Sequence, residues 1–355
     1  ARNAAGRRDP VMTLVLLGMP IISVLFCWLV IRLGVTDAPD GGRKTQKAPV
    51  PTSGGIAIFA TVAFGLGLTG DLIAIYSIEL ASLLIFILLA VIIGVYDDIK
   101  GLESKRKLVL LGGISLLAAA FGPRLGHFHM PFGPGAGYPL PVWFSILGVG
   151  LWLFVVMNAT NFMDGANGLA MGSAAIMLVA FAILLKLLDI TDPDTADEAI
   201  MSHLAALAAA AILGFLAWNM AGKLFAGDTG ALGMGALLGA AGLMVACRMT
   251  VWEPVTLILP FLVDVFLTLI WRARAGKHLF EAHRDHAYQL LLRDGWPHWK
   301  VSALWAAMSF ACGAGLLGLG PIIGARIIIL LGIGGIGLWI WQRLTLGRKL
   351  AEEGR

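Results

Sequence analysis

Apolar stretches, each on the order of 20 residues and almost free of charge, recur from one end of this chain to the other. They run Val11 to Val35, Gly54 to Thr69, Leu80 to Val95, Leu108 to Phe121, Val142 to Met157, Leu169 to Leu188, Ala199 to Trp218, Ala231 to Cys247, Pro254 to Trp271, Val301 to Gly320 and Ile322 to Trp341. A helix crossing a hydrocarbon core of about 30 Å needs roughly 20 such residues, and no other backbone arrangement made of runs this long satisfies its own hydrogen bonds in lipid. The pattern therefore predicts an all-α polytopic membrane protein with about eleven transmembrane helices. Two runs, Gly54 to Thr69 and Leu108 to Phe121, are short for the task. With 58% hydrophobic and 14% charged residues, the chain cannot present the surface of a water-soluble globule. Repetition of the runs excludes a signal peptide as their explanation. No soluble domain interrupts them, so residues 1–355 read as one integral membrane domain.

Lys and Arg give the orientation, because positively charged short loops stay on the cytoplasmic side. Arg43, Lys44 and Lys47; Lys100, Lys105, Arg106 and Lys107; Lys223; and Arg272, Arg274, Lys277, Arg284, Arg293 and Lys300 fall in alternate loops, assigned to the cytoplasm. The intervening loops carry Arg124, Arg248 and Arg326 singly and the acidic run Asp189, Asp192, Asp194, Asp197 and Glu198. The basic tail Arg343, Arg348, Lys349 and Arg355 agrees, whereas Arg2, Arg7 and Arg8 do not. The chain starts with Ala and not Met, which suits a trimmed or engineered end, so the interior loops carry the assignment. The Gly- and Pro-rich loop Gly122 to Pro141 reads as turns or a small hairpin. Cys27, Cys247 and Cys312 have no ligand-like spacing and read as packing residues.

Polar side chains are costly near a bilayer unless paired, hydrated or ligand-bound, so their clustering is informative. Asp97 and Asp98 stand together after the third run, where adjacent carboxylates favour a cation, a shared proton or a nearby Lys. A solvated helix end with Lys100, Lys105 and Lys107 as counterions explains them equally well. The run Asn158-Ala-Thr-Asn161-Phe-Met-Asp164-Gly165-Ala-Asn167-Gly168 is harder to dismiss, since amide and carboxylate oxygens beside glycines form a surface that a ligand approaches closely. In Phe225-Ala-Gly227-Asp228-Thr229-Gly230 the carboxylate sits at a helix start with room for a phosphate or metal, although it also suits a simple cap. The last cluster, His283-Arg284-Asp285-His286-Ala-Tyr288 through His298, holds with His278 four of the seven histidines, and His with Arg suits phosphate oxygens. Its H-x-x-H spacing is not the pair of a zinc protease helix. Asp264 lies inside the ninth run, a direct participant or a partner for Arg272 or a polar helix face.

All these clusters fall on the side assigned to the cytoplasm, and together they describe a site for a divalent cation and phosphates at a membrane surface. Pro49-Val-Pro51-Thr-Ser-Gly54-Gly55, Asp97-Asp98, Asn158 to Ala170, Phe225 to Gly230 and the histidine loop ending in Gly295-Trp296-Pro297 resemble, in order, the signatures of the polyprenyl-phosphate N-acetylhexosamine 1-phosphate transferases. That family includes the peptidoglycan lipid I synthase, phospho-N-acetylmuramoyl-pentapeptide transferase. The resemblance implies transfer of a sugar 1-phosphate from a UDP-N-acetylhexosamine to a polyprenyl phosphate at the cytoplasmic face of the bacterial inner membrane. It implies Mg²⁺, with Mn²⁺ as the alternative, held by Asp228, Asp164 and Asp97. Phe225 would stack on uracil, with Asn158, Asn161, Asp164, Asn167, Lys105, Lys107 and Arg284 binding substrate. Asp97, Asp98, His283 and His286 would be catalytic: in a direct attack without a covalent enzyme intermediate, one of the acidic pair, Asp97 before Asp98, would deprotonate the lipid phosphate, or both would assist metal and substrate placement. A second copy of the chain is a further expected partner; nucleic acid is not.

Two departures matter. Asn167 replaces the family's second Asp of the D-G-x-D-G run, keeping an acceptor oxygen but losing the charge. The triple histidine of the peptidoglycan enzyme is absent, and His283 to Tyr288 is closer to members that start O-antigen or related glycans. That role is expected first and lipid I synthesis second. An ion-coupled transporter is the reading from another class, disfavoured because the polar residues gather at one face and not at mid-membrane.

Overall fold

The computed structural model describes residues 2–33, 36–37, 50–70, 77–132, 137–191, 196–278 and 283–352. Arg43, Lys44, Lys47, Pro49, Asp192, Asp194 and Arg355, used above, lie outside the described residues. Each apolar run falls on one helix. These are α1 (Arg2–Leu33), α2 (Gly54–Thr69), α3 (Ile78–Lys100), α4 (Ser104–Phe121), α5 (Val142–Phe162), α6 (Leu169–Thr191), α7 (Ala196–Asn219), α8 (Gly227–Arg248), α9 (Trp252–Arg274), α11 (His298–Leu319) and α12 (Pro321–Glu352). A short α10 (Ala287–Arg293) inside the histidine loop was not apparent from the apolar pattern.

Among the described residues nine helices are long and apolar enough to cross a membrane. Helix α2, with 16 residues, is shorter, and α4 opens on Lys105, Arg106 and Lys107; they correspond to the two short runs. The chain is a multi-pass membrane protein of the all-α class, nearly all of it helical. Among the described residues there are also four short strands: β1 (Thr36–Asp37) pairs antiparallel with β2 (Val50–Pro51), and β3 (His127–Phe128) with β4 (Tyr138–Pro139), the hairpin expected between Gly122 and Pro141.

Helix α8 is the axis of the bundle. Its most apolar stretch is 94% buried, against 17% for α1 and α12, which face the lipid. Its Gly- and Ala-rich sequence is the cause, because small residues let neighbouring backbones approach. A Cβ on Gly235 would lie 2.7 Å from the Met157 Cα of α5, and one on Gly94 of α3 would lie 2.5 Å from the Thr229 Cα. Cys27 and Cys312 are buried as packing residues should be; Cys247 is exposed near the end of α8, which corrects that reading for this residue.

Candidate active site

The first turn of α8 carries free backbone amides, and α3 supplies the group that satisfies them. Asp98 Oδ1 accepts from the Asp228 amide at 2.8 Å, and Asp98 Oδ2 accepts from the Thr229 amide at 3.0 Å and from Thr229 Oγ1 at 2.6 Å. Asp98 is thus an interhelical cap, a carboxylate at the positive end of a helix dipole. Asp228 makes no cap of its own, so its carboxylate is free for other work. The α2 entry closes on the same turn: Gly54 and Gly55 donate to the carbonyls of Phe225 and Ala226 at 2.9 and 2.8 Å. Gly227 has φ +69°, and a Cβ there would overlap the Thr52 carbonyl and the Asp98 carboxylate, so glycine is required.

Lys107, from the first turn of α4, reaches across this floor. Its Nζ lies 2.7 Å from Asp97 Oδ2 and 2.8 Å from Asp228 Oδ1. The other Asp97 oxygen accepts from the Leu102 amide at 2.6 Å. The Asn161 amide, from the end of α5, donates to the same Asp228 Oδ1. Asp164 follows in the α5–α6 turn, where burial and the negative charges of Asp228 and Asp98 push its carboxyl up to about 7. Lys107 thus pairs with Asp97 and Asp228, while Asp98 holds the Asp228 amide and Asp164 feels the charges of Asp228 and Asp98, so carboxylates outnumber the ammonium at this turn. Among the described residues no three His, Cys, Asp or Glu side chains form a ready-made metal cage.

The histidine loop packs against the other side of the α5–α6 turn. Tyr288 donates its hydroxyl to the Phe162 carbonyl at 3.0 Å, and the His286 ring stacks between Phe162 and Tyr288 with centroids 6.0 and 5.9 Å away. His283 lies over His286, ring centroids 5.0 Å apart. Burial, with the nearby charges of His286 and Arg272, lowers the His283 imidazole to about 4. Asp285 ties the loop down. Arg272 pairs with its carboxylate, Lys277 lies 3.6 Å and Arg343 3.9 Å from it, and Arg343 also donates to its carbonyl. Burial pushes the Asp285 carboxyl up, but Lys277, Arg272 and Arg343 outweigh it and hold the group below the usual carboxylate range. The Arg343 guanidinium lies 3.6 Å from the Trp271 ring centroid, an added cation–π contact.

Residues 80–246, which carry the acidic pair, the α5–α6 turn and the α8 entry, match the model of glycosyl transferase family 4. A phospho-N-acetylmuramoyl-pentapeptide-transferase of Synechococcus sp. (strain RCC307) is 33% identical over 256 residues, 66% of this chain and 67% of the relative. The chain belongs to glycosyl transferase family 4. A Bacillus subtilis (strain 168) family member, described as a probable undecaprenyl-phosphate N-acetylglucosaminyl 1-phosphate transferase, is 26% identical over 301 residues, 81% of this chain and 78% of its own length. A decaprenyl-phosphate N-acetylglucosaminephosphotransferase of Mycobacterium tuberculosis (strain CDC 1551 / Oshkosh) is 27% identical over 293 residues, covering 76% and 72% of the two chains.

In this glycosyl transferase family 4 protein, Asp97, Asp98, Lys107, Asn161 and Asp228 meet directly, and Asp164 stands beside them. Phe225 is half-buried, its amide on the Pro51 carbonyl at 2.8 Å. Asn167 is held by its backbone, the amide donating to His298 Nδ1 at 3.1 Å and the carbonyl accepting from Ser302 Oγ at 2.6 Å. Asn158 is not brought to the cluster: it is buried within α5 and its amide donates to its own helix, at the Phe154 carbonyl, 2.8 Å away. Lys105 is exposed, and Arg284 is half-buried, its carbonyl accepting from Arg293 at 3.3 Å. Asp264 does not pair with Arg272, which is engaged by Asp285; it serves the start of α10 instead. Arg343 and His298 meet partners 58 and 131 residues away, and Asp285 meets Arg272 only because the loop folds back on the end of α9.

Proposed function

We propose that this protein transfers an N-acetylhexosamine 1-phosphate from its UDP-sugar to undecaprenyl or another polyprenyl phosphate at the cytoplasmic face of a bacterial inner membrane. The observation that carries the reading is the joining of Asp97, Lys107, Asn161 and Asp228 in one hydrogen-bonded cluster at the entry to α8. Family membership supports the general class, a phospho-sugar transferase acting on a polyprenyl phosphate. The positive loops at this end of the bundle support the cytoplasmic placement.

In the proposed reaction an acceptor phosphate oxygen forms a bond to the β-phosphorus of the donor while the bond from that phosphorus to the bridging oxygen breaks, so that UMP leaves. A phosphate monoester already carries an oxyanion at neutral pH, so no strong base is needed. Both Asp97 oxygens are engaged, which favours a role in holding Lys107 toward the phosphates over one as base. Phe225 would stack on the uracil, with His283, His286 and Arg284 directed to phosphate oxygens. The carboxylate excess fits a hard divalent cation, which would offset the charge of the diphosphate and of departing UMP. Asp228 and Asp164 would hold it. A site with few protein ligands is typical of Mg²⁺, which keeps waters and takes substrate phosphates.

Asn167 and the His283 to Tyr288 sequence favour initiation of O-antigen or another envelope glycan over lipid I synthesis. Purified protein with undecaprenyl phosphate and a panel of UDP-N-acetylhexosamines tests this: Mg²⁺-dependent UMP release is expected with one simple UDP-N-acetylhexosamine and not with UDP-N-acetylmuramoyl-pentapeptide. Asp228→Asn should abolish it in folded protein. Turnover of the pentapeptide donor would overturn the pathway, and undiminished Asp228→Asn activity would overturn the site.

A further inference from the structure

We propose that Asp264 is a positioning residue for His286, orienting its imidazole and fixing the histidine loop from within α9. The inference rests on the reading of this site as that of a phospho-sugar transferase. Asp264 and His286 are both buried, each 2% exposed. Asp264 Oδ1 accepts from the Ala287 amide at 2.8 Å, from Thr268 Oγ1 at 3.2 Å and from Trp339 Nε1 at 3.3 Å. One carboxylate oxygen thus joins α9, the first residue of α10 and α12. Gln342 of α12 adds a hydrogen bond to the Ala287 carbonyl at 3.0 Å.

Among the described residues the other Asp264 oxygen, Oδ2, is buried without a hydrogen-bond partner, and so is His286 Nδ1. Each such group is costly alone. Here they belong to facing side chains of complementary kind, with Nδ1 3.7 Å from the carboxylate's bonded oxygen, Oδ1. Stacking on Phe162 and Tyr288 holds the ring plane, so a small rotation of the carboxylate or imidazole is the motion that satisfies both. A proton on Nδ1, held by Asp264, turns Nε2 toward the substrate, where it accepts from a protonated phosphate oxygen or, in the imidazolium, donates to an ionised one. A carboxylate behind a histidine fixes tautomer and direction in this way.

Asp264→Asn separates positioning from folding, because it keeps an oxygen for the Ala287 amide and loses the charge that holds the imidazole. In steady-state assays of the full-length protein, kcat should fall about tenfold or more while the KM for the UDP-sugar stays within about twofold. The thermal unfolding midpoint should be retained and Asp264→Glu should recover part of the rate. In a His286→Ala background Asp264→Asn should cost nothing further. A wild-type kcat in Asp264→Asn, or a full additional loss in the His286→Ala background, would overturn the proposal. Nitrogen-15 NMR of the histidines, with His286→Ala to identify the signal, reads the same claim without turnover. The Nδ1-protonated tautomer is expected in the wild type and its loss in Asp264→Asn; an Nε2-protonated tautomer, or no change, contradicts it. Wild-type protein releasing no UMP from any donor would instead overturn the functional reading.

Discussion

The Lys107 ammonium nitrogen lies 2.8 Å from Asp228 Oδ1, joining the start of α4 to the start of α8 across the floor of the site. Asp97 shares the same ammonium at 2.7 Å, so a single cation offsets two carboxylates. Lys107→Met leaves both uncompensated where a diphosphate must bind, and the affinity for UDP should fall roughly tenfold or more. Lys107→Arg should recover part of it. Calorimetric titration of UDP into purified protein checks this, and unchanged affinity in Lys107→Met would remove Lys107 from the substrate set.

Asp98 caps α8 from a different helix, so its removal should be felt as stability as well as rate. Asp98→Ala strips the partners from the Asp228 and Thr229 amides and from the Thr229 hydroxyl. A loss of about 1 to 2 kcal/mol is expected, together with a lower transfer rate, because the Asp228 carboxylate rides on that turn. Thermal unfolding in detergent, compared with the wild type, measures the first effect. A rate loss with no loss of stability would mark Asp98 as a reacting group and not a cap.

The acidic pair, the Asn161 to Asp164 turn and Asp228 were legible in the sequence because residues of this cost rarely sit at a membrane boundary without a use. What they would touch was not legible. Nothing local distinguishes Lys107, which reaches two carboxylates, from exposed Lys105 two positions earlier; that depends on where α3, α4 and α8 meet. Asn158 carried the same chemical signal as Asn161, yet its amide turns back to its own helix, as buried polar side chains in spanning helices often do. The apolar runs located the helices for a simpler reason: lipid imposes one length and one composition on each. Helix α10 escaped because it has only 7 residues and the helices it packs on, α11 and α12, lie beyond it in the chain.

The His283 imidazole, lowered to about 4 by burial and by the charges of His286 and Arg272, stays neutral throughout the physiological range. As pH falls below the ordinary value of 6.5, an unfolded chain takes up this proton before the folded one does, so stability linked to His283 is complete above 6.5 and lost toward 4. His283→Gln should therefore lose less thermal stability than the wild type between about pH 7 and pH 5. Parallel curves for the two proteins would contradict this account of His283.

The central claim is that a phosphate travels with the sugar. Donor UDP-N-acetylhexosamine labelled at its β-phosphorus, incubated with undecaprenyl phosphate, Mg²⁺ and the purified protein, separates the possible outcomes in one extraction. The label should move into the organic phase as a lipid diphosphate sugar while unlabelled UMP remains in water, and chelation of the metal should stop it. Label left in water as UDP would mean transfer of the sugar alone, and no movement of label with any N-acetylhexosamine donor would mean that the cluster around Lys107 and Asp228 does not carry out this reaction.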